Sequence, residues 1–409
     1  MKKLIFFILF LLFAITAYFV FFHQDKSLKF IPKEADAIVL IDVKKLKRES
    51  VFSLLTHPSE WFKDSEIKSM VSSLNNSGIK TPDFLQICHF KNQKFTDWST
   101  VLEISNLEKF TDFLEAKNFA NHGNQFYVKD DFFVKIVGNY CFAATSINSL
   151  GNHLDSFRKD DQKKTSDADS FIKGTSASIT FLGKKNYSYA IELLEDEIEI
   201  SNAKNTKNFK PLIAQLRKKN LLFNANLDEK NTKTISEFWL NKKFDSLQLS
   251  DIKMIANLES VNDTIVTYEY DDNFNEVEKK SFQKITKPNY IISAKSLNPT
   301  KTLEFLKKEK WINAENQIIT VPYQPNLVIE NKDIFTVKSP ENSLTIDKNQ
   351  KGNFIFFKND PLLINLIPNF SPSQKNLLSK IDHIFYGNEE ADYLVKIKFK
   401  KGKMPLILK

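Results

Sequence analysis

The first 22 residues constrain this chain most. Met1, Lys2 and Lys3 precede an almost unbroken apolar run, Leu4–Phe22, in which Thr16 and Tyr18 carry the only hydroxyls. About 19 helical residues at ~1.5 Å each reach ~28 Å, the thickness of a bilayer's hydrocarbon core. The run therefore predicts one membrane-spanning helix, with everything after it polar enough for water. A cleaved signal peptide is the alternative. Its best site, after Ala17, puts bulky Ile15 at the −3 position, where a small residue is preferred. No cysteine follows the run, so a lipoprotein signal is absent. Lys2 and Lys3 hold the N-terminus inside, which predicts the inner (cytoplasmic) membrane of a bacterium, N-in, with the large C-terminal part in the periplasm.

The remaining residues are enough for two or three domains, and 42% hydrophobic residues supply real cores. Basic residues are nearly all lysine, with Arg48, Arg158 and Arg217 the only arginines. Together with abundant Asn, Ile and Phe, this bias points to an AT-rich genome. The net charge of +8 is spread among 50 acidic residues. A nucleic-acid surface would cluster its charge and favour arginine, so no nucleic-acid partner is expected. Lys400, Lys401 and Lys403 make a short basic cluster with only weak attraction for an anionic surface.

The pattern of strands and helices repeats. Trp98–Ser105 reads as a strand, Asn106 as a helix N-cap, and Leu107, Phe110, Phe113 and Leu114 follow at helical spacing. Three strand-like runs come next, parted by Asp130–Asp131 and Gly138–Asn139. From Asn289 the order recurs: strand Tyr290–Lys295, helix opening at Asn298–Pro299, then Ile318–Val321, Asn326–Glu330 and Asp333–Lys338. Ser176–Leu182 resembles Asn353–Phe357. Asp251–Glu259 with Thr264–Tyr270, turning at Val261–Asn262, reads as a hairpin, and so does Asp382–Tyr386 with Asp392–Phe399.

The expected fold class is accordingly α+β, an N-terminal transmembrane helix followed by duplicated antiparallel-sheet-plus-helix units. The predicted segments are a cytoplasmic stub and anchor over 1–23, a strand-helix opening over 24–96, a first copy over 97–275 with an insertion near 184–245, and a second copy over 286–409. In the opening, Ala37–Val43 reads as a strand, with helices over Lys44–Thr56 and Asp64–Leu74 and a strand over Phe84–Phe90.

One stretch of that opening carries a resemblance. Ile31-Pro32-Lys33-Glu34-Ala35-Asp36-Ala37-Ile38-Val39-Leu40-Ile41-Asp42, just after an apolar run, resembles the opening of membrane-anchored envelope proteins of Bacteroidetes-type bacteria, with repeated strand-helix ectodomain units. The close match covers about a dozen residues. The resemblance implies an envelope location and brings no catalytic residues with it.

Chemistry-bearing patterns are sparse. The hydrolase elbow, the Walker loop, the dinucleotide fingerprint and His-Glu-x-x-His are all absent, and nine glycines in 409 residues leave little for phosphate-cradling loops. The six histidines, His23, His57, His89, His122, His153 and His383, include no close pair. Cys88 and His89 are adjacent on a predicted strand, where alternation points them to opposite faces. An oxidising compartment permits a disulfide between Cys88 and Cys141; two separate buried thiols are the other reading. The acidic run Glu195, Asp196, Glu197 and Glu199 and the group Glu389, Glu390 and Asp392 read as solvated, and Asp42 as the start of a helix. Of the 37 phenylalanines most read as core, and a surplus is available for a partner-binding patch.

These observations predict no catalytic, cofactor-binding or metal-binding residues and no cofactor. The expected role is that of a non-enzymatic single-pass envelope protein, a protein–protein interaction or scaffold component of a membrane-associated assembly with other envelope proteins as partners. The alternative is an extracytoplasmic module holding a small apolar or peptidic ligand between the two copies. A hydrolase of unrecognised type is a third reading, for which a nucleophile–base pair within ~3.2 Å would be the sign.

Overall fold

The computed structural model describes residues 18, 22–56, 77–159, 166–202, 208–240, 249–270, 274–319, 326–331, 333–339, 344–347, 350–363 and 371–403. The chain divides into two compact units. One holds residues 1–202 together with 404–409, and the other holds 203–403.

The first unit is built around strand β2. A two-residue strand β1 (Ser27–Leu28) precedes it. β2 (Ala35–Asp42), helix α1 (Val43–Thr56), β3 (Phe84–Phe90), β4 (Trp98–Glu103) and α2 (Leu107–Ala116) follow in order. Then come β5 (Ala120–Asn121), β6 (Phe126–Lys129), β7 (Phe132–Val137), β8 (Tyr140–Ala144) and α3 (Ile147–Lys159). The unit closes with β9 (Ser166–Asp167), β10 (Ala177–Phe181), β11 (Tyr187–Leu193) and β12 (Glu197–Ser201). All pairing is antiparallel, in the spatial order β12-β11-β10-β2-β3-β4-β8-β7-β6-β5, with β1 and β9 paired apart.

The second unit contains α4 (Phe209–Lys218), β13 (Phe223–Leu227), α5 (Glu229–Leu240), β14 (Leu249–Tyr270), β15 (Glu276–Ser296) and α6 (Pro299–Lys308). It continues through β16 (Gln317–Ile318), β17 (Asn326–Asn331), β18 (Ile334–Lys338), β19 (Asn353–Lys358), α7 (Pro372–Lys380), β20 (Ile381–Glu389) and β21 (Asp392–Phe399). Its antiparallel order is β21-β20-β19-β13-β14-β15-β18-β17-β16.

The two orders coincide strand for strand from β12 to β6 and from β21 to β16. The local chemistry coincides as well. Each central strand, β2 or β13, gives way to an aspartate that caps the next helix. The Lys45 N–H donates to Asp42 Oδ1 (2.6 Å), and the Asn231 N–H donates to Asp228 Oδ1 (2.9 Å). After β4 and after β15 an asparagine caps a helix: Asn106 accepts from the Lys109 N–H (2.9 Å) and Asn298 from the Lys301 N–H (3.1 Å). Such caps satisfy backbone donors that the first helical turn leaves free. Trp98–Ser105 and Tyr290–Lys295 hold the same place in the two sheets, as do Ser176–Leu182 and Asn353–Phe357. Asp251–Glu259 instead holds the place of Phe84–Phe90. The units part at Asn202 and Ala203, inside the stretch 97–275.

The expected architecture needs correction on two points. Antiparallel strands hold 46% of the described residues against 24% in helices, so sheet dominates where duplicated sheet-plus-helix units were expected. The excess lies in β11, β12 and β13, inside the stretch 184–245 expected as an insertion, and in the unbroken run of β14 and β15. Secondly, among the described residues no helix is long and apolar enough to cross a membrane. Leu4–Phe22, from which a spanning helix was expected, lies outside the described residues except for Tyr18 and Phe22, and the helix expected over Asp64–Leu74 lies outside them entirely.

Phenylalanine fills both cores. Phe110 and Leu114 of α2 pack on Tyr127, Val134 and Ile136. In the second unit Phe209, Ile213 and Leu216 of α4 pack on Phe354, Phe356, Phe385 and Leu394. Gly387 on β20 makes room for that packing: a Cβ there would stand 2.8 Å from a Phe209 ring carbon and 2.7 Å from the Phe385 ring. Gly387→Ala should therefore overpack this core and lower stability by roughly 1–3 kcal/mol, read from the midpoint shift in urea at unchanged m-value. An unchanged midpoint would contradict the packing described.

Candidate functional site

The histidines and cysteines come first because they could carry chemistry. On α3, Ser149, Leu150, His153 and Ser156 are buried at helical spacing against the sheet. His153 Nδ1 lies 2.8 Å from Ser99 Oγ on β4, a nucleophile–base distance. The remainder of the arrangement is structural. Both residues are 2% exposed, the ring's further polar contact is with the Phe30 backbone, and Phe90 and Phe142 meet the ring edge-on at 5.7 and 5.9 Å. The hollow of about 490 Å³ beside α3 is lined by Lys33, Glu34, Phe90, Lys91, Asn152, Asp155, Ser156 and Lys159, and neither Ser99 nor His153 opens into it. A general base needs an orienting partner and a substrate within reach. Here burial pushes the imidazole down to about 4, only partly offset by the Phe30 contact. The pair works as a buried tie between α3 and β4.

The other candidates are placed as follows. Cys88 is fully buried with Ala35 and Ile38. Its neighbour His89 sits between Asp36 (Nδ1 to Oδ1, 2.6 Å) and the Lys94 carbonyl (Nε2, 3.0 Å), with Trp98 and Phe95 against its ring. Cys88 and Cys141 are separate free thiols, each pushed up to about 12 by burial. They stay protonated and unreactive, since the thiolate is the nucleophile. His383 pairs with Asp382 at 2.8 Å; burial outweighs that carboxylate and keeps the ring below its ordinary pKa. His57 lies outside the described residues. Asp42 caps α1 and also accepts from the Gln24 amide at 2.7 Å. Glu195 and Asp196 form the turn before β12, which carries Glu197 and Glu199, and Glu390 sits in the turn between β20 and β21 at φ +55°. Among the described residues no three His, Cys, Asp or Glu side chains gather as a metal-holding group.

The feature that sequence reasoning missed is the hairpin of β14 and β15. A turn was expected at Val261–Asn262. Instead β14 runs straight through, and its register with β15 continues unbroken from Asp251 and Lys295 to Tyr270 and Glu276. β13 covers β14 only over Ile252–Ala256, and β18 covers β15 only over Ile291–Lys295. Beyond those points the two strands pair with each other alone among the described residues. They form a two-stranded ribbon of about 12 residues a side, roughly 40 Å long.

Cross-strand partners point to the same face. One face therefore carries the pairs Asn262 with Lys284, Thr264 with Phe282, Val266 with Lys280, Tyr268 with Glu278, and Tyr270 with Glu276. Tyr268 is 62%, Tyr270 71% and Phe282 76% exposed, and Phe274, just before β15, is 86% exposed. The opposite face carries Asp263 with Gln283, Ile265 with Ser281, Thr267 with Lys279, and Glu269 with Val277. Its Lys279 pairs with Glu269 at 2.9 Å. The aromatic residues thus share one face with Glu276, Glu278, Lys280 and Lys284, whereas the opposite face exposes the aliphatic Ile265 and Val277 and no aromatic residue. The sequence signal is the β-branched and aromatic alternation from Thr264 to Tyr270. On sequence alone it suggests only a short strand, because Val261–Asn262 reads as a turn.

Compared as a whole, the chain matches no family model, no curated protein and no solved structure.

The buried His153 sets a pH dependence. Its folded pKa of about 4 lies below the unfolded value of 6.5, so the unfolded chain binds more protons between those limits and stability rises with pH there. The contribution, about 3 kcal/mol, should be complete above pH 6.5 and lost as pH falls towards 4. His383 adds to the same trend. Urea titrations at pH 7 and pH 4.5 should show the loss, and His153→Gln should flatten it. A slope identical in that variant would assign the effect elsewhere.

Proposed function

We propose that this protein is a non-enzymatic interaction component of the bacterial cell envelope, acting in the periplasm by presenting the aromatic face of its ribbon to another protein. The observation that carries this reading is the row Val266, Tyr268 and Tyr270 with Phe282 beside it, solvent-exposed on one face of a strand pair that extends past its neighbours. A chain that kept such a surface for no purpose would carry an aggregation liability. Tyrosine and phenylalanine are residue types that interfaces concentrate. The envelope location rests on Lys2, Lys3 and the apolar run Leu4–Phe22, and on the resemblance carried by Ile31–Asp42.

Two measurements test it. A photo-reactive residue at position 268, on the aromatic face, should give discrete cross-linked protein products in cells. The same residue at position 267, on the opposite face, should give several-fold fewer. Protease added after the outer envelope is opened should digest the chain. Equal labelling from the two faces would remove the interaction surface, and a chain protected from protease would remove the location.

A further inference from the structure

We propose that the partner of the ribbon is the ribbon of a second copy of this chain, stacked face to face and antiparallel about a two-fold axis at the Val266–Lys280 pair. This names the occupant of the surface described above and rests on that reading.

Charge selects this partner. On the aromatic face, the β15 column runs Glu276, Glu278, Lys280, Phe282, Lys284 from the tip inward. The tip is acidic, with Glu269 on the other face. The stem is basic, through Lys280 and Lys284 here, with Lys279 behind and Lys287 further in. An anionic membrane or a nucleic acid would be repelled at the tip, where the aromatic residues are densest. The surface that offers apolar contact, positive charge opposite the acidic tip and negative charge opposite the basic stem is the same ribbon reversed.

The register makes the match residue by residue. With the axis at Val266 and Lys280, Glu276 lies over Lys284 of the second copy, and Lys284 over its Glu276. Val266 meets Val266, and Tyr268 falls beside Phe282, which neighbours Thr264 on the facing strand pair. Lys280 would face itself, but its charge is already held by its own Glu278 at 2.9 Å. Glu276 and Lys284 have no ion-pair partner within the described residues of their own chain, so the intermolecular contact satisfies both. Such self-complementarity is what an isologous interface requires. A footprint of about 40 by 10 Å per copy buries roughly 800 Å² in total, the size of weak, transient contacts, so a weak dimer is expected.

The test is sedimentation equilibrium of the full chain in mild detergent, from about 1 μM to 1 mM so as to cover a weak dimer. A monomer–dimer equilibrium is expected. Glu276→Lys and Lys284→Glu should each weaken it about tenfold, and the double variant should recover to within about threefold, because each contact is remade with the charges exchanged. Phe282→Ser should leave monomer, whereas Thr267→Ser, on the opposite face, should change nothing. Far-UV circular dichroism checks that each variant is folded. A chain that stays monomeric at every concentration, a dimer indifferent to Phe282→Ser and to both charge reversals, or a double variant no better than the singles overturns the pairing. Monomer together with face-specific cross-links to a different protein overturns the second copy as partner and leaves the interaction reading standing.

Discussion

Everything in each unit depends on one strand that is paired along both edges. β2 lies between β3 and β10, and β13 between β14 and β19, with no residue of either strand exposed. A backbone so placed has its polar groups satisfied by the sheet, which removes the main penalty of burying it. Its side chains, such as Ile38 and Leu40, which share one face of the strand, are then free to anchor core clusters there, both clusters packed against Ile31 and Phe171. The end of the strand also determines the next element. Asp42 and Asp228 sit where the chain leaves the sheet, and each turns a strand terminus into a helix start by accepting a first-turn N–H. At Asp228 burial works to raise the carboxyl pKa, but hydrogen bonds from Asn231 and Asn353 prevail and hold it low, so the cap stays ionised.

The same constraint explains why the ribbon stands out. Where β14 and β15 outrun β13 and β18, the backbone groups on their outer edges lose sheet partners, and both faces meet solvent. Proteins usually blunt such edges with charge, bulges or proline. Here the charged residues are present, Lys279 and Lys280 among them, but they are interleaved with Tyr268, Tyr270 and Phe282 on a pair of strands without a break in register. Cross-strand pairing and two short salt bridges, Lys279–Glu269 and Lys280–Glu278, stiffen the ribbon. Exposed pairs of this kind contribute little to stability. Their effect is to fix side chains to faces, so that the aromatic row stays on one side.

How much of this could be read from the residues depends on the range of the interaction. Asn106 and Asn298 were legible as helix starts because a cap acts over three residues, and so were the strands that come after them. The turns at Asp130 and Gly138 were legible because a positive φ favours short polar residues and glycine. Pairing of β10 with β2, between residues as distant in sequence as Ala177 and Ile41, leaves no local trace, so the strand order was not legible even where both strands were. The Ser99–His153 contact was invisible for the same reason, being made by a strand and a helix 54 residues apart. Only an expected compensating polar atom near a buried histidine could have hinted at it. The ribbon was half legible. Thr264–Tyr270 had the right residues, yet Val261–Asn262 imitated a turn, and nothing local says whether an asparagine lies inside a strand or ends it.

The shared strand order also shows where the units diverge. β3 and β4 in the first unit hold the place that β14 and β15 hold in the second. In the first unit this hairpin stops at Phe90 and resumes at Trp98, across a short loop with Asn92 at φ +65°. Its aromatic residues pack on one another, with Trp98 and Phe95 edge-on at 5.6 Å and both against the buried His89, although Phe95 stays 49% exposed. In the second unit the equivalent hairpin is lengthened past its neighbours, and its aromatic residues face solvent. The sheet beneath is the same in both cases. A scaffold that is already complete can lengthen one hairpin without disturbing its core, because the added residues pair only with each other. Function grafted on a fold in this way belongs to the elaboration rather than to the architecture, which is why the proposed interaction surface falls on residues 259–287 and not on the sheet that the two units share.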